Sequence, residues 1–291
     1  MLKYIYIALM RCFNLWRLLR GRPGAYIISE YQNGKCSSVV IVFDVGNTCT
    51  TIGFFCGEQL KGSIRMSTEV ERTGDQYAVD LYNLIKLEGF DFEAFDGAIA
   101  ASVVPAVNVA LKQAVKKVLG LSLCIVGPGV KTGLNIKIDN PAQLGADLVV
   151  GGVAAAAKYH LPCIIFDMGT ANTISVLNER GEFLGGTITA GMGISLDALA
   201  SKTAQLPFIE LENPGAVIGT NTVESMKSGL IYGTAAMMDG MAQRIEEELG
   251  QKATLIATGG RAAVTAYCKR DYILNSNLLL EGLNMIYNKN K

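Results

Sequence analysis

Short apolar runs closed by glycine, asparagine or aspartate set the rhythm of the chain. Val39-Val40-Ile41-Val42-Phe43 is β-branched and ends in Asp44-Val45-Gly46-Asn47-Thr48, which predicts a buried strand entering a tight turn. A second apolar run at 50–55, closed by Gly57, predicts that the opening unit is a hairpin. Tyr77, Leu81, Leu84 and Ile85 fall at helical spacing between Gly74 and Gly89. A strand at 98–104, a helix at 107–119 with its lysines on one face and a strand at 123–126 follow. Alternation of this kind predicts an α/β fold.

The opening device then returns. Cys163-Ile164-Ile165-Phe166 runs into Asp167-Met168-Gly169-Thr170-Ala171, and a second run at 173–177 leads to a turn at Gly181, as the first copy leads to Gly57. One strand-turn-strand unit per half predicts an internal duplication, with two similar lobes facing each other across a cleft. The expected division is an N-terminal extension at 1–38, a first domain at 39–150 and a second at 151–291.

Composition narrows the function. The chain has 291 residues, half of them hydrophobic, and 26 basic residues balance 26 acidic ones. Length alone favours about two domains, and the apolar fraction excludes disorder as a description of the whole. Zero formal charge argues against a protein whose work is neutralising nucleic-acid phosphates. The seven cysteines are scattered with no C-x-x-C pair, so a zinc or redox site is not expected, and a reducing cytosol fits best. The lone histidine, His160, reads as a residue at a helix end before a strand. Residues 1–22 carry five basic and no acidic side chains. Their apolar run at 4–10 is too short to span a bilayer. An appendage is the simpler reading of this segment, with a basic membrane-surface helix as the other.

Both Asp-x-Gly turns suit phosphate. Glycine lets backbone N–H groups approach an anion, threonine hydroxyls add donors, and aspartate can hold a metal ion or its water. No Walker loop occurs, and no G-x-G-x-x-G opens a helix near the start. Between the copies, Asn140-Pro141 and Gly145-Ala146-Asp147-Leu148 lead into a small-residue helix at 149–157. Asp147 near that helix start is either an N-terminal charge favoured by the macrodipole or a general base beside the cleft. The second half is rich in glycine, with segments at 185–193 and 218–222 and a strand ending in Gly259-Gly260, where a nucleotide base can lie against bare backbone. Helical stretches are expected at 194–203 and 223–249. In the latter, Gly229, Gly233 and Gly240 allow a second helix to approach, within one subunit or across a dimer seam.

Taken together, these segments resemble the type III pantothenate kinase family, from about residue 39 to residue 287. The first phosphate loop at 44–48, the catalytic turn at 140–147 and the second phosphate loop at 167–171 match its pattern. So do Gly185-Gly186-Thr187-Ile188, Ile218-Gly219 with Asn221-Thr222, Thr258-Gly259-Gly260 and Leu280-Glu281-Gly282-Leu283. The resemblance implies an α/β fold of two duplicated ribonuclease-H-like (actin-like ATPase) domains facing a central cleft. It also implies ATP-dependent phosphorylation of the primary hydroxyl of pantothenate, the first step of coenzyme A synthesis. By this resemblance Asp147 is the base, and Gly145, Ala146, Asp147 and Leu148 hold the substrate. Thr222 contacts pantothenate from the neighbouring subunit of a homodimer. Asp44, Val45, Gly46, Asn47, Thr48, Cys49, Thr50, Thr51 and Thr170 cradle the phosphates of ATP. Mg²⁺ accompanies ATP, Asp167 holds a monovalent cation, K⁺ or NH₄⁺, and the protein works in the cytoplasm.

The chain also departs from the family pattern. Leu148 stands where the family has arginine, Ile138 where it has tyrosine, Ala190 where it has proline and Thr220 where it has arginine. A lost charge-assisted contact costs roughly 1.5–3 kcal/mol, so the substrate side is altered while the nucleotide side is intact. Three readings stay open: a pantothenate kinase with a changed pocket, a kinase of another small hydroxyl compound, and a catalytically weak nucleotide-binding homologue.

Overall fold

The computed structural model describes residues 36–291. The segment at 1–22 lies outside the described residues. Two sheets organise the described chain, one of five strands in the order β3-β2-β1-β4-β5 and one of six in the order β11-β10-β7-β8-β9-β6.

The first sheet is built on β1 (Val39–Val45), flanked by β2 (Cys49–Cys56) and β4 (Phe95–Ser102), with β3 (Gln59–Ser67) and β5 (Leu123–Ile125) at its edges. β1, β2 and β3 form an antiparallel meander, while β4 and β5 add in parallel. The second sheet repeats this plan with β7 (Cys163–Met168), β8 (Ala171–Leu177), β9 (Glu182–Ala190), β10 (Thr254–Thr258) and β11 (Ile273–Leu274). Pairing senses match as well, antiparallel for β7, β8 and β9 and parallel for β10 and β11. The extra strand, β6 (Asn135–Ile136), pairs with β9 and so joins the second sheet from the first half of the chain. The duplication read from the two Asp-x-Gly turns therefore extends through strand order and direction.

Among the described residues six α-helices cover the sheets: α1 (Gly74–Leu87), α2 (Pro105–Leu119), α3 (Ala146–Lys158), α4 (Met192–Lys202), α5 (Thr222–Leu249) and α6 (Leu278–Asn290). Local signals set their ends. Thr73 and Gln76 form a capping box at α1, the Thr73 N–H donating to Gln76 Oε1 at 2.9 Å. Pro105 opens α2, where its missing N–H costs no helical bond. Asn221 caps α5, its Oδ1 accepting from the Glu224 N–H at 3.0 Å.

Strand alternation divides the core into layers. Val39, Ile41, Phe43 and Val45 pack with Tyr77, Leu81 and Ile85 of α1 and Val107, Leu111 and Val115 of α2. On the opposite face of β1, Val40 and Val42 meet Val150 and Val153 of α3 and Leu283 and Ile286 of α6. One turn along, α3 turns Ala154 and Ala155 to Cys163, Ile165, Leu177 and Phe183 of the second sheet. α3 and α6 thus lie between the sheets. They approach closely at Gly282, where an added Cβ would strike the Val150 carbonyl. The outer face of the second sheet, with Ile164, Phe166 and Met168, is covered by Ile231, Ala235, Met238 and Ala242 of α5.

Three differences from the sequence reading have physical causes. β3 has no apolar signature because it is an edge strand with mostly partly exposed residues, held by pairing to β2. The strand placed at 98–104 ends at Ser102, because Val104 already serves as the N-cap of α2. Gly229 and Gly233 face open space, so among the described residues no helix uses the expected close approach. Further, Cys36 and Cys56 form a disulfide, which the scattered cysteines did not signal and which a reducing cytosol disfavours. His160 is exposed after α3, and its carbonyl accepts from Thr254 Oγ1 at 2.7 Å, a structural role.

Candidate active site

Both Asp-x-Gly turns sit at the carboxyl ends of the central strands, on the edge where the sheets meet. Even-numbered positions of β1 and odd-numbered positions of β7 face inward, towards α3 and α6. This alternation puts Asp44 and Asp167 on the inner faces. The loops touch, with Thr48 Oγ1 3.0 Å from Thr170 Oγ1. In the first loop the Gly46 N–H donates to the Cys49 carbonyl at 3.1 Å, which closes the turn and leaves Asn47 and Thr48 exposed. Val45 and Thr50 are buried, Thr50 bonded to Thr68 at 2.9 Å, so they brace the loop from behind. Cys49 is partly buried, and Thr51 sits opposite Asp44 on β2.

A third carboxylate comes from α3. Gly145 is its N-cap, and a side chain there would collide with Asp147 Oδ1, so the glycine makes room for the acid. Asp147 Oδ1 accepts from the Leu148 N–H at 2.9 Å. Ala146 packs on the inner apolar layer beside Val150.

These acids sense one another. Burial pushes the Asp44 carboxyl up to about 7, helped by the charges of Asp167 and Asp147 and opposed by Arg65. Burial pushes Asp167 up to about 6, and Asp147 adds to the shift. Asp147 is itself raised by burial, against the pull of the Leu148 and Asp147 N–H groups. Groups displaced in this way mark a site that gains by taking up positive charge. Yet among the described residues no three acidic, histidine or cysteine side chains converge as a protein-only metal site. A cation here would share its shell with phosphate or backbone oxygens, which fits Mg²⁺ carried in with a nucleotide. Asp167 offers one such place: Gly259, at φ +90°, brings its backbone against Asp167 Oδ1 and the Met168 carbonyl, where a side chain would clash.

The remaining predicted residues are set apart. Thr222 is the exposed first residue of α5. No side-chain hydrogen bond among the described residues joins it to either loop or to Asp147. It borders an open groove with Leu199, Leu206, Gly219, Thr220 and Met226. Leu148 and Ile138, the two departures from the catalytic-turn pattern, pack in one apolar cluster with Leu144 and Leu134. The two aliphatic side chains thus pack against the same layer. Ala190 pairs with Ala171, next to the second loop. The sequence reading missed Arg65, whose guanidinium comes within reach of Gly260. Its signal, one arginine on an unrecognised strand, was not separable from an ordinary surface charge.

Comparison with known proteins agrees with this geometry. A family model described as type III pantothenate kinase matches residues 40–244. A type III pantothenate kinase of Halalkalibacterium halodurans is 40% identical over 253 residues, covering 87% of this chain and all of that protein. The Moorella thermoacetica type III pantothenate kinase is 39% identical over 257 residues with the same coverages. Among solved structures, a Campylobacter jejuni protein named for the Baf family of transcriptional activators superposes with a TM-score of 0.54 at 18% identity. It covers 86% of this chain and 98% of its own, and it supports the fold alone. Twin sheets of one strand order, with an Asp-x-Gly loop at the inner edge of each, define a duplicated α/β kinase of the actin-like ATPase class. The chain belongs to the type III pantothenate kinase family.

Proposed function

We propose that the protein transfers a phosphoryl group from ATP to the primary hydroxyl of pantothenate, the first step towards coenzyme A, with Asp147 accepting the hydroxyl proton. The activity follows from the family. The observation that supports Asp147 as base is its placement: a half-buried carboxylate with a raised pKa at the start of α3, within electrostatic reach of both loop aspartates. A raised pKa makes the carboxylate a stronger proton acceptor, as general-base work requires.

Phosphoryl transfer needs mainly positioning and charge neutralisation. Asn47, Thr48 and Thr170, exposed where the loops meet, offer donors to the phosphates of ATP, and Asp44, Val45, Gly46, Cys49, Thr50 and Thr51 shape that cradle. Mg²⁺ bound with ATP would supply further neutralisation, and Asp44 is a loop carboxylate that would help to hold it. Asp167 beside the Met168 carbonyl suits a monovalent cation, K⁺ or NH₄⁺. Gly145, Ala146 and Leu148 form the substrate wall around Asp147, and its aliphatic character supports a weakened grip on an anionic substrate.

A homodimer is part of this reading. Exposed Phe208, Val217 and Ile218, the last 83% exposed, lie in the segment before Thr222, and the open glycines of α5 follow it. A second copy covering this apolar stretch would bring Thr222 to the partner's substrate. The division into domains at 39–150 and 151–291 is likewise proposed, with α3 and α6 as shared packing between the halves. Among the described residues no helix is long and apolar enough to cross a membrane. A cytoplasmic place of action completes the proposal.

The test is ADP release by the purified protein with Mg²⁺-ATP and pantothenate, in potassium buffer and in sodium alone. Pantothenate-dependent turnover that needs potassium or ammonium is expected. ATP binding without such turnover would favour another small alcohol or a binding role.

A further inference from the structure

The duplication can be followed across the strands, and it breaks at one position. Asp44 pairs with Thr51 across β1 and β2, and Thr51 pairs with Arg65 across β2 and β3. Residues directly opposite on neighbouring strands point to the same face, so Asp44, Thr51 and Arg65 form one row on the inner face of the first sheet. The second sheet repeats the row as Asp167, Thr173 and Ile188. Aspartate and threonine are kept in both copies, but the third place is a guanidinium in one and a 73% exposed isoleucine in the other.

Arg65 is exposed, yet it does not stand alone on the surface. Its Nη1 and Nη2 lie 3.4 and 3.5 Å from the place a Cβ on Gly260 would occupy, so it reaches from β3 to the turn that follows β10 in the other sheet. Its charge acts on Asp44 and opposes the upward push of burial and of the other two carboxylates. Among the described residues none of the ion pairs involves Arg65. A planar fork of donors thus lies between the first phosphate loop and the Gly259-Gly260 turn, with no direct ion-pair partner among the described residues.

We propose that Arg65 is the cationic contact of this kinase for the polyphosphate of its nucleotide. A guanidinium presents parallel N–H donors at the spacing of phosphate oxygens and stays charged at any working pH. Placed beside Gly260, where no side chain intervenes, it lines the phosphate cradle from the edge strand of the first sheet. The broken symmetry then has a function: the first sheet carries the charge for the nucleotide, and the second presents an apolar residue at the equivalent place. This inference rests on the ATP-dependent reading given above.

The experiment compares Mg²⁺-ATP binding by calorimetry for the wild-type protein, Arg65→Lys and Arg65→Met, with steady-state kinetics in parallel. Arg65→Met is expected to weaken ATP roughly tenfold to a hundredfold, Arg65→Lys less so, with the KM for pantothenate and the thermal midpoint unchanged. Unchanged ATP affinity in Arg65→Met would overturn the assignment. So would a fall in thermal midpoint with ATP and pantothenate weakened alike, which would make Arg65 a strut between the sheets. Wild-type protein that binds ATP but leaves pantothenate unphosphorylated would sink the substrate assignment alone, since the Arg65 comparison is made on binding. If the wild type binds no ATP, both fall.

Discussion

The hydroxyl oxygens of Thr48 and Thr170, 122 residues apart in the chain, lie 3.0 Å from each other. Each belongs to one copy of the duplicated turn, so this contact is where the two halves meet at the site. Both groups are exposed and each has lone pairs and a rotatable proton, so either can turn to a phosphate oxygen.

Removing one hydroxyl therefore leaves the other able to compensate. Thr48→Val and Thr170→Val are each expected to raise the KM for ATP only a few-fold, roughly twofold to fivefold, and the double variant by more than the product. Multiplicative effects would mean that the two threonines act on separate groups.

Asp147 is placed to act on a proton and not on the nucleotide. Asp147→Asn should lower kcat by roughly a hundredfold or more while the Kd for ATP moves little. Retention of more than a few per cent of the wild-type rate would assign the base elsewhere.

Asp44 titrates at about 7 in the folded protein against an ordinary 3.8. The folded state binds this proton more tightly than the unfolded state does. The resulting stabilisation is present in full below about 3.8 and is lost as pH rises to about 7. Asp44→Asn should accordingly raise the thermal midpoint at pH 8, in buffer free of divalent cation, and have little effect below pH 4. Scanning calorimetry at both values decides, and a pH-independent difference would refute the charge cluster.

Glu246 is the opposite case. Burial alone would raise its carboxyl, but hydrogen bonds from Arg270 at 2.7 Å, Lys252 at 2.9 Å and the Ala253 N–H at 3.1 Å hold it down at about 2. Its contribution is present above about 4.5 and is lost as pH falls through about 2. Glu246→Gln at neutral pH should cost roughly 2–4 kcal/mol in urea unfolding, because Arg270 is left without its partner. A loss below 1 kcal/mol would class the pair with exposed ion pairs.

Leu148 and Ile138 share one apolar cluster at the catalytic turn. If the aliphatic pair is what weakens the hold on the substrate carboxylate, Leu148→Arg should lower the KM for pantothenate by about tenfold and leave that for ATP alone. A higher KM, or a protein that fails to fold, would show that Leu148 belongs to the packing.

By itself the sequence determined the central strands, the two Asp-x-Gly loops and the start of α3, because each rests on a local signal: an apolar run, a glycine at a turn, an acid at a helix start. The repeat of one such unit was enough to announce two matched halves. Only the tertiary structure decided what these pieces do to each other. β3 was invisible because an edge strand draws its stability from its neighbour and not from its own apolar pattern. α3 and α6 were not legible as the layer between the sheets, since Val150 and Ala154 differ only in which sheet they meet. The raised pKa values of Asp44 and Asp167 arise first from burial and then from carboxylates that the fold gathers, and the reach of Arg65 to Gly260 joins positions far apart in the chain. Such couplings act through space, and no spacing along the chain encodes them.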